Sequence, residues 1–516
     1  MKIYHYLMAA AVCAAMVMSC KKDGPAEDPK DDDNTETPVP PVTGEPEDMT
    51  FTLTPEAVSG IDGYDNAWAA GDCVSVFEGA ANNKFEFTSD NKFDGSAVAS
   101  GAYYVLYPYD EGAKLENNAL TVEIPAEQSG KAENLLAIGY SDSEEISMKN
   151  ATGFLKFTLD EDNVTKVTIK GNNGEILAGT VSVSWNGGEP KITAGEGGSA
   201  TISVGDGETV LEKGDYYVNI IPVKAVGYTA TLTYKYDDST YESYFEYWEN
   251  GMTKDAGVKG TYTRGASDFS LAFPEGSINM TRGKVFELLE TFSATLVYYD
   301  DEVKTTINGV PMTAACWDNF DKSDGGGSSL NIACTDSPYE GSNCIQWTMG
   351  QDWGIAGFQT FRDTGDEEDK YRRGNLDLTA YRNAHFSLQF AYKAEAGTKF
   401  YVRFMMHRSP SYCLNAIKDL SEYATGEWVL VTIPLDDMKI SEYASHPVRW
   451  DQFPLERISV DDGTFDSEGN PFRWDKVLRT IFCFNEDMAD MSQKGKTVYI
   501  DDVKIKKVII SDQTAE

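Results

Sequence analysis

Most of the chain consists of short segments in which apolar and polar residues alternate, separated by Gly, Asn and Asp. Residues Thr231 to Tyr236 form one such segment, and Val164 to Ile169, followed by turn residues 171–174, form another. Because successive side chains of a strand point to opposite faces, this alternation predicts half-buried β-strands joined by tight turns. A helix is expected only near residues 414–423. The pattern predicts an all-β protein built of sandwiches.

One continuous apolar run departs from this pattern. It extends from Tyr6 to Val17 and leads into Ser19 and Cys20. A membrane-spanning helix needs about 20 apolar residues, so this run is too short to span. The run resembles a bacterial lipoprotein signal peptide, which implies that residues 1–19 are removed and that Cys20 carries the lipid. An ordinary secretory signal is the alternative.

The segment after Cys20 is acidic and almost free of apolar residues. Residues 20–49 are rich in Asp, Glu, Pro and Thr, with Asp31 to Asp33 in the middle. Such a composition cannot form a core, so we expect a disordered, extended tether. It resembles the surface-export signal of Bacteroidetes lipoproteins, although Lys21 and Lys22 precede the acidic residues. The resemblance implies an outer-membrane lipid anchor that faces the cell exterior, and a plain spacer is the alternative.

The formal net charge of -39 restricts the partners of this protein. Nucleic acid is excluded because its phosphates would be repelled, and binding to anionic lipid through a basic face is disfavoured for the same reason. The charge suits a neutral ligand such as a sugar. The cysteines beyond Cys20 have no CxxC spacing for zinc or redox chemistry. Cys334 and Cys344 could pair across adjacent strands or remain free thiols.

Residues 50–265 carry a series of short motifs in a characteristic order. The series begins at Trp68 to Asp72 and continues through Tyr103 to Tyr109, Met148 to Phe157, and Tyr216 to Pro222. This order resembles the fimbrillin-like family of Bacteroidetes surface lipoproteins. The resemblance implies two β-sandwich lobes, 50–150 and 151–290, and possible assembly with fimbrial proteins by donor-strand exchange. Trp68 could line a ligand groove, but a core position at a turn is favoured.

The order of the strand-like segments changes after residue 290. We expect a linker at 291–313 and a separate domain at 314–510, which opens near Trp317 and closes on Val498 to Ile505. The order of its segments resembles the galactose-binding-like β-jelly rolls, which include many carbohydrate-binding modules. The predicted architecture is thus two fimbrillin-like β-sandwich lobes followed by a β-jelly roll.

Two carboxylates of this C-terminal domain are candidates for a calcium site. Many jelly-roll relatives hold a structural Ca²⁺ between the first and last strands, and this resemblance points to Asp318 and Asp501, with carbonyls of the 340–343 turn as helpers. Alternation along the last strand places Asp501 and Asp502 on opposite faces, so that one of them can point inward. Carboxylate and carbonyl oxygens are the ligands that Ca²⁺ prefers. Solvated edge charges are the alternative.

The same domain contains residues suited to sugar binding. Aromatic faces stack on sugar rings, and planar polar side chains bind neighbouring hydroxyls. Trp428, Trp347 and Trp474 are interpreted as core residues. The candidates that lie outside clean strand patterns are Trp353, Tyr371, Arg372, Tyr412, Arg449 and Trp450. Ordinary partial burial is the alternative for each of them.

Sequence motifs of catalysis are absent. The chain contains no HExxH, no GxSxG and no phosphate-binding Gly-rich loop. We therefore expect a non-catalytic surface lipoprotein that captures a polysaccharide or host glycan for neighbouring uptake proteins. A fimbrial tip or accessory subunit that acts as an adhesin is the alternative, and a polysaccharide hydrolase or lyase is a third, weaker one.

Overall fold

The computed structural model describes most of the chain after residue 43. The described residues are 44–58, 60–61, 67–133, 135–238, 240–243, 246–249, 252–255, 260–316, 328–350, 355–361, 376–406, 414–435, 438–442, 474–484 and 492–509. Nearly all regular structure in these ranges is strand, which confirms the all-β prediction. Among the described residues, no helix has the length and apolar character needed to cross a membrane.

The described residues of the first lobe form eleven short strands. They are β1 (Glu47–Thr54), β2 (Cys73–Glu78), β3 (Ala81–Ser89), β4 (Lys92–Ala97), β5 (Tyr103–Tyr107), β6 (Lys114–Glu116), β7 (Ala119–Ile124), β8 (Glu127–Gln128), β9 (Ala137–Ser141), β10 (Glu145–Ser147) and β11 (Lys149–Asn150). Of these, β7 alternates between buried and exposed residues, and β5 is buried throughout.

The second lobe follows directly. Its strands are β12 (Gly153–Leu159), β13 (Val164–Gly171), β14 (Ala178–Asn186), β15 (Glu189–Ser199), β16 (Thr201–Val204), β17 (Gly214–Ile220), β18 (Val223–Tyr234), β19 (Thr240–Ser243), β20 (Glu246–Glu249), β21 (Met252–Asp255), β22 (Gly260–Thr263), β23 (Ser267–Met280) and β24 (Val285–Phe292).

The described residues of the C-terminal sandwich form strands, a short helix, and 3₁₀ turns that include Ser421–Tyr423 and Trp474–Lys476. The strands are β25 (Leu296–Asp300), β26 (Glu302–Val303), β27 (Thr306–Ile307), β28 (Val310–Cys316), β29 (Ser329–Cys334), β30 (Cys344–Thr348), β31 (Ile355–Thr360), β32 (Ser387–Ala394), β33 (Tyr401–Met406), β34 (Leu414–Asp419), β35 (Val429–Pro434), β36 (Lys439–Glu442), β37 (Val477–Cys483) and β38 (Thr497–Lys506), and the helix is α1 (Thr379–Asn383).

The first lobe is organised around one sheet with the order β10-β1-β4-β3-β2-β5-β9-β11. Tyr103 and Val105 on β5 pack into the core of this lobe, whereas Tyr104 and Leu106 face the core of the second lobe. Trp68 is half-buried, packs edge-to-face on Tyr107 and donates its indole N–H to the Leu53 carbonyl at 2.6 Å. These contacts agree with the interpretation of Trp68 as a packing residue.

The two lobes share strands across the expected boundary at residue 150. β7 pairs with β14, with Val122 opposite Val181, and β8 pairs with β16. Residues 114–128 therefore complete the sheets of the second lobe, which differs from the sequence-based division. Leu120, Val122 and Ile124 alternate correctly for a strand, but alternation does not specify which strand is the partner.

The expected linker at 291–313 forms strands in the structure. β25 lies in this segment and pairs with β38, the last strand of the C-terminal sandwich. The preceding turn is fixed by the buried carboxylate of Glu161, which accepts hydrogen bonds from the backbone N–H groups of Ala294 at 2.8 Å and Thr295 at 3.1 Å. The sandwich therefore begins at residue 296, directly after the last strand of the second lobe.

Two seven-stranded sheets form the C-terminal sandwich. The first, here the front sheet, has the order β27-β28-β31-β37-β33-β34-β36, and the second, the back sheet, joins β26, β25, β38, β30 and β29 with β32 and β35. Phe482 of the front sheet lies 5.2 Å from Phe390 of the back sheet, measured between ring centroids. Thr480 donates a hydrogen bond to the Tyr298 hydroxyl between the sheets.

The prediction of a helix near residues 414–423 is wrong. Residues Leu414–Asp419 form β34, which pairs with β33 on one side and β36 on the other, and only a 3₁₀ turn at Ser421–Tyr423 follows. Pairing with two neighbouring strands outweighs the weak local preference of this short segment.

Candidate functional site

The predicted sugar-binding residues Trp353, Tyr371, Arg372, Tyr412, Arg449 and Trp450 lie outside the described residues. The described strands on either side of them define where the chain leaves and re-enters the front sheet.

Three segments of the chain leave and re-enter the front sheet at the same end. β33 ends at Met406, whose register partner Val477 begins β37, and β34 begins at Leu414, whose partner is Glu442 at the end of β36. Val477 also forms a bridge to Leu376. Segments 362–375, 407–413 and 443–473 thus start and finish at this end, here called the loop end of the front sheet.

The segments that contain the predicted residues adjoin different ends of this sheet in sequence. Tyr371, Arg372, Tyr412, Arg449 and Trp450 belong in sequence to the three segments at the loop end. Trp353 precedes β31, whose first residue, Ile355, pairs with Cys483 at the opposite end. Sequence order alone could not show this division, because it follows from the antiparallel pairing.

Two polar side chains of the front sheet lie near the loop end, on the face that points away from the back sheet. Gln359 of β31 and Arg479 of β37 are register partners, and the Arg479 Nε–H donates to the Gln359 Oε1 atom at 2.6 Å. Arg479 is partly exposed. The bond fixes the guanidinium and amide planes relative to each other, which is the kind of planar polar pair that binds neighbouring sugar hydroxyls.

A second arginine on the same face has a different environment. Arg403 of β33 is only 1% exposed, and its Nε–H donates to the Cys483 Sγ atom at 2.9 Å. Arg403 is thus buried, whereas Arg479 is partly exposed and its partner Gln359 is 9% exposed, so the Arg479 guanidinium is the part of this pair that is open to solvent. The sequence analysis missed this pair, since both residues lie inside strands and no motif marks them.

The back sheet carries an aromatic cluster on its outer surface. Trp428 lies 5.8 Å from Tyr339 and 6.4 Å from Tyr499, measured between ring centroids. Its indole N–H donates to the Ser337 carbonyl at 3.0 Å, and 37% of Tyr339 is exposed. The interpretation of Trp428 as a core residue is therefore wrong, because Trp428 lies on the same face of the sheet as the exposed Leu430, opposite the buried Val431. Trp347 and Trp474 are buried, as expected.

Asp501 is the more buried of the two acidic residues of the last strand, and in register it lies opposite Ala391, on the face that points away from the front sheet. It is 1% exposed, and its carboxylate accepts backbone N–H bonds from Tyr339 at 2.8 Å, Glu340 at 3.3 Å and Asp502 at 2.8 Å. Burial raises the pKa of this carboxyl above its ordinary value, and the N–H bonds act in the opposite direction. Asp501 thus anchors the loop between β29 and β30.

Asp301 anchors the other side of the same loop. Its Oδ1 atom accepts hydrogen bonds from the N–H groups of Asn343 at 2.8 Å and Ser342 at 2.6 Å, and these bonds lower the pKa of the carboxyl. An open depression of about 470 Å³ lies beside these two carboxylates; it is lined by Asp300, Asp301, Glu302, Lys304, Glu340, Gly341, Asn343, Asp501 and Asp502.

The described residues do not fit the predicted calcium ligand set. The 339–343 turn directs N–H groups, not carbonyls, at Asp501, and Asp318 lies outside the described residues. In the part of the chain that the structure describes, no three His, Cys, Asp or Glu side chains are grouped as a metal site. The calcium site at Asp318 and Asp501 stays a prediction, and no chemical step is derived through it.

No protein-family model and no curated protein matches the chain. Solved structures that resemble it include a family 30 carbohydrate-binding module, with 16% identity and a TM-score of 0.25 over 42% of this chain and 100% of the module. A family 11 module of a Clostridium thermocellum cellulosomal cellulase has 12% identity and a TM-score of 0.23 over 42% and 97%. A proposed cell adhesion protein from Bacteroides ovatus has 12% identity and a TM-score of 0.26 over 47% and 91%.

Proposed function

We propose that the protein is a non-catalytic surface lipoprotein that binds a polysaccharide or glycan at the loop end of the front sheet. The lipid on Cys20 would anchor it in the outer membrane, and the two N-terminal lobes would hold the C-terminal sandwich away from the lipid. Neighbouring glycan-uptake proteins would receive the captured chain.

The observation that carries this proposal is the strand order of the front sheet. It supports grouping Tyr371, Arg372, Tyr412, Arg449 and Trp450, because their segments leave and re-enter the sheet at one end. The Gln359–Arg479 pair lies near that end, so aromatic and planar polar side chains would converge there. This combination stacks on sugar rings and binds their hydroxyls without needing a catalytic group.

Binding measurements on the mature chain test the proposal. We expect calorimetric titration against plant, fungal and host polysaccharides to find at least one ligand. Trp450→Ala and Arg479→Ala should each weaken that binding about tenfold or more, since each removes a stacking or hydrogen-bonding contact of about 1.4 kcal/mol or more. Trp353→Ala should leave binding unchanged, because its segment adjoins the opposite end of the sheet.

A control variant separates the site from a general effect of surface aromatics. Tyr140 of the first lobe is 39% exposed and packs on Tyr104, so Tyr140→Ala changes an exposed aromatic outside the C-terminal sandwich. We expect its affinity to equal that of the wild type. Absence of binding across the whole panel by the folded chain would contradict the proposal and favour the adhesin alternative.

The anchor is tested separately in cells. Cys20→Ala should abolish incorporation of labelled fatty acid and release the protein from the membrane fraction, since the acyl chains are its proposed attachment. Protease added to intact cells should degrade the wild-type protein if it faces the exterior. Protection from the protease would contradict the proposed surface location.

A further inference from the structure

Cys334 and Cys344 face each other on adjacent antiparallel strands. Cys334 ends β29, Cys344 begins β30, and the two residues are register partners. Both thiols are reduced in the structure, and the residues are 3% and 0% exposed.

This placement matches the geometry of a disulfide. Directly opposed residues in an antiparallel pair have Cα atoms about 4.5–5.5 Å apart. Disulfides are found where the Cα separation is about 4.4–6.8 Å, so the bond requires no large movement of either strand. A register shift between Asn331 and Cys334 separates this pair from the regular ladder of β29 and β30, so the bond would form outside that ladder.

The loop between the two cysteines is already held in one conformation. Asp501 and Asp301 accept hydrogen bonds from its N–H groups on opposite sides, and the Ser337 carbonyl accepts one from the Trp428 indole. A covalent bond at the base of the loop would therefore join residues whose relative position is fixed by three other contacts. Closing such a loop lowers the entropy of the unfolded chain with little strain in the folded one.

We propose that Cys334 and Cys344 are a disulfide-forming pair that closes the 335–343 loop in the exported protein. The oxidant is a small or protein disulfide. One cysteine thiolate attacks this disulfide, forming a mixed disulfide and releasing one thiol. The second thiolate attacks the mixed disulfide, forming the Cys334–Cys344 bond and releasing the other thiol. The two cysteines lose two electrons and two protons, and the oxidant becomes two thiols.

We expect the two thiols to be oxidised during folding, before the strands bury them. Burial, the neighbouring Cys334 thiol and the Asp501 carboxylate raise the pKa of the Cys344 thiol to about 12. Because the thiolate is the attacking species, the folded reduced protein is expected to oxidise slowly. Oxidation during refolding should be much faster, and the finished bond should resist reductant in the native state.

The test is to refold the mature chain with oxidised glutathione and digest it without reduction. Proteases that cleave after Lys322 and after Glu340 separate Cys334 from both Cys316 and Cys344, so the peptides of Cys334 and Cys344 stay together only if a disulfide joins them. We expect mass spectrometry to find this joined peptide, two hydrogen masses lighter than the sum of its parts. The oxidised protein should melt several degrees higher than the reduced one.

Matched variants make the result specific. Cys334→Ser and Cys344→Ser should each lose the joined peptide and the increase in melting temperature, whereas Cys73→Ser, a half-buried cysteine in the first lobe, should keep both. Absence of the joined peptide from folded, oxidised wild type would overturn the proposal. Pairing of either cysteine with another one, or a lower melting temperature of the joined form, would do the same.

Discussion

The ammonium group of Lys507 donates a hydrogen bond to the backbone carbonyl of Ala384, 2.8 Å away. A second bond reaches the Ser267 hydroxyl at 2.9 Å. Ser267 belongs to the second lobe, whereas Ala384 belongs to the C-terminal sandwich, and Lys507 is 0% exposed. The ring of Phe269 in the second lobe also packs on Tyr381 and Phe386 of the sandwich. The second lobe and the sandwich are thus joined by a packed junction.

Removal of the Lys507 ammonium should weaken this junction. Lys507→Met keeps most of the apolar stem but removes both hydrogen bonds, although the Ala384 carbonyl still accepts one from the Ser267 hydroxyl at 3.1 Å. We expect the free energy of unfolding to fall by about 1–3 kcal/mol, because hydrogen bonds from a charged group are stronger than those between neutral groups. Urea denaturation, followed by intrinsic fluorescence, measures this loss.

The adjacent lysine provides the control. Lys506 forms an ion pair with Asp162 of the second lobe at 3.0 Å, and both side chains are partly exposed. Exposed pairs contribute at most about 1 kcal/mol, so Lys506→Met should cost much less than Lys507→Met. Equal losses in the two variants would show that the buried hydrogen bonds do not hold the junction.

The all-β class followed from the sequence because alternation is a local property. The strand partners did not, and β7 shows why: its buried residues would suit either lobe, and only the packed structure selects β14. The prediction of a linker at 291–313 failed for a related reason. β25 is short and lies next to the turn fixed by Glu161, a residue distant from it in sequence.

The residues of the candidate site could likewise be predicted only in part from the sequence. The phase of alternation already placed Trp428 with Leu430 and Thr432, opposite the buried Val431, so a stricter reading of the pattern would have assigned it to the surface. The Gln359–Arg479 pair has no such signal. The two residues are far apart in sequence, and each occupies an ordinary strand position. Only the pairing of β31 with β37 places them side by side.

Glu161 should make stability depend on pH. Burial raises the pKa of its carboxyl above the ordinary 4.5, so the folded protein holds this proton more tightly than the unfolded chain. The resulting stabilisation is fully present below pH 4.5 and is lost as the pH rises through the folded-state pKa. Glu161→Gln removes this dependence. On acidification from pH 7 to 4.5, the free energy of unfolding of the wild type should therefore rise relative to that of the variant.

The measurement is urea denaturation of both proteins at several pH values. Taking the difference between them cancels the contributions of the other carboxylates, which titrate in both. The contrary results are that the wild type gains no stability relative to the variant on acidification, or that it loses some. Either result would show that this carboxyl is not protonated more readily in the folded state.

A pair of leucines tests the assignment of the core in the C-terminal half. Leu388 of β32 is 0% exposed, and Leu289 of β24 is 92% exposed. Leu388→Ala should lower the free energy of unfolding by about 2–5 kcal/mol, because it removes buried apolar atoms and leaves a cavity. Leu289→Ala should change it by less than about 0.5 kcal/mol. Similar values for the two variants in denaturant titrations would contradict the assignment of β32 to the core.

Gly341 is required in the loop between Cys334 and Cys344 for two separate reasons. Its φ of +59° is unfavourable for residues with a Cβ atom, and a Cβ there would overlap both carboxylate oxygens of Asp301. Gly309 has a similar φ of +73° but no atom within 4 Å of the added Cβ, so Gly309→Ala isolates the backbone effect. We expect about 1–2 kcal/mol of destabilisation for Gly309→Ala and about 1–3 kcal/mol more for Gly341→Ala.

The double variant Gly341→Ala, Asp301→Ala separates overlap from conformation. Asp301→Ala alone loses the acceptor of the Ser342 and Asn343 N–H groups, but in the double variant it also removes the atoms that the new methyl group would meet. The combined loss of stability should therefore be smaller than the sum of the two single losses, as a double-mutant cycle in thermal denaturation would show. Strict additivity would mean that Asp301 does not contact this position in solution.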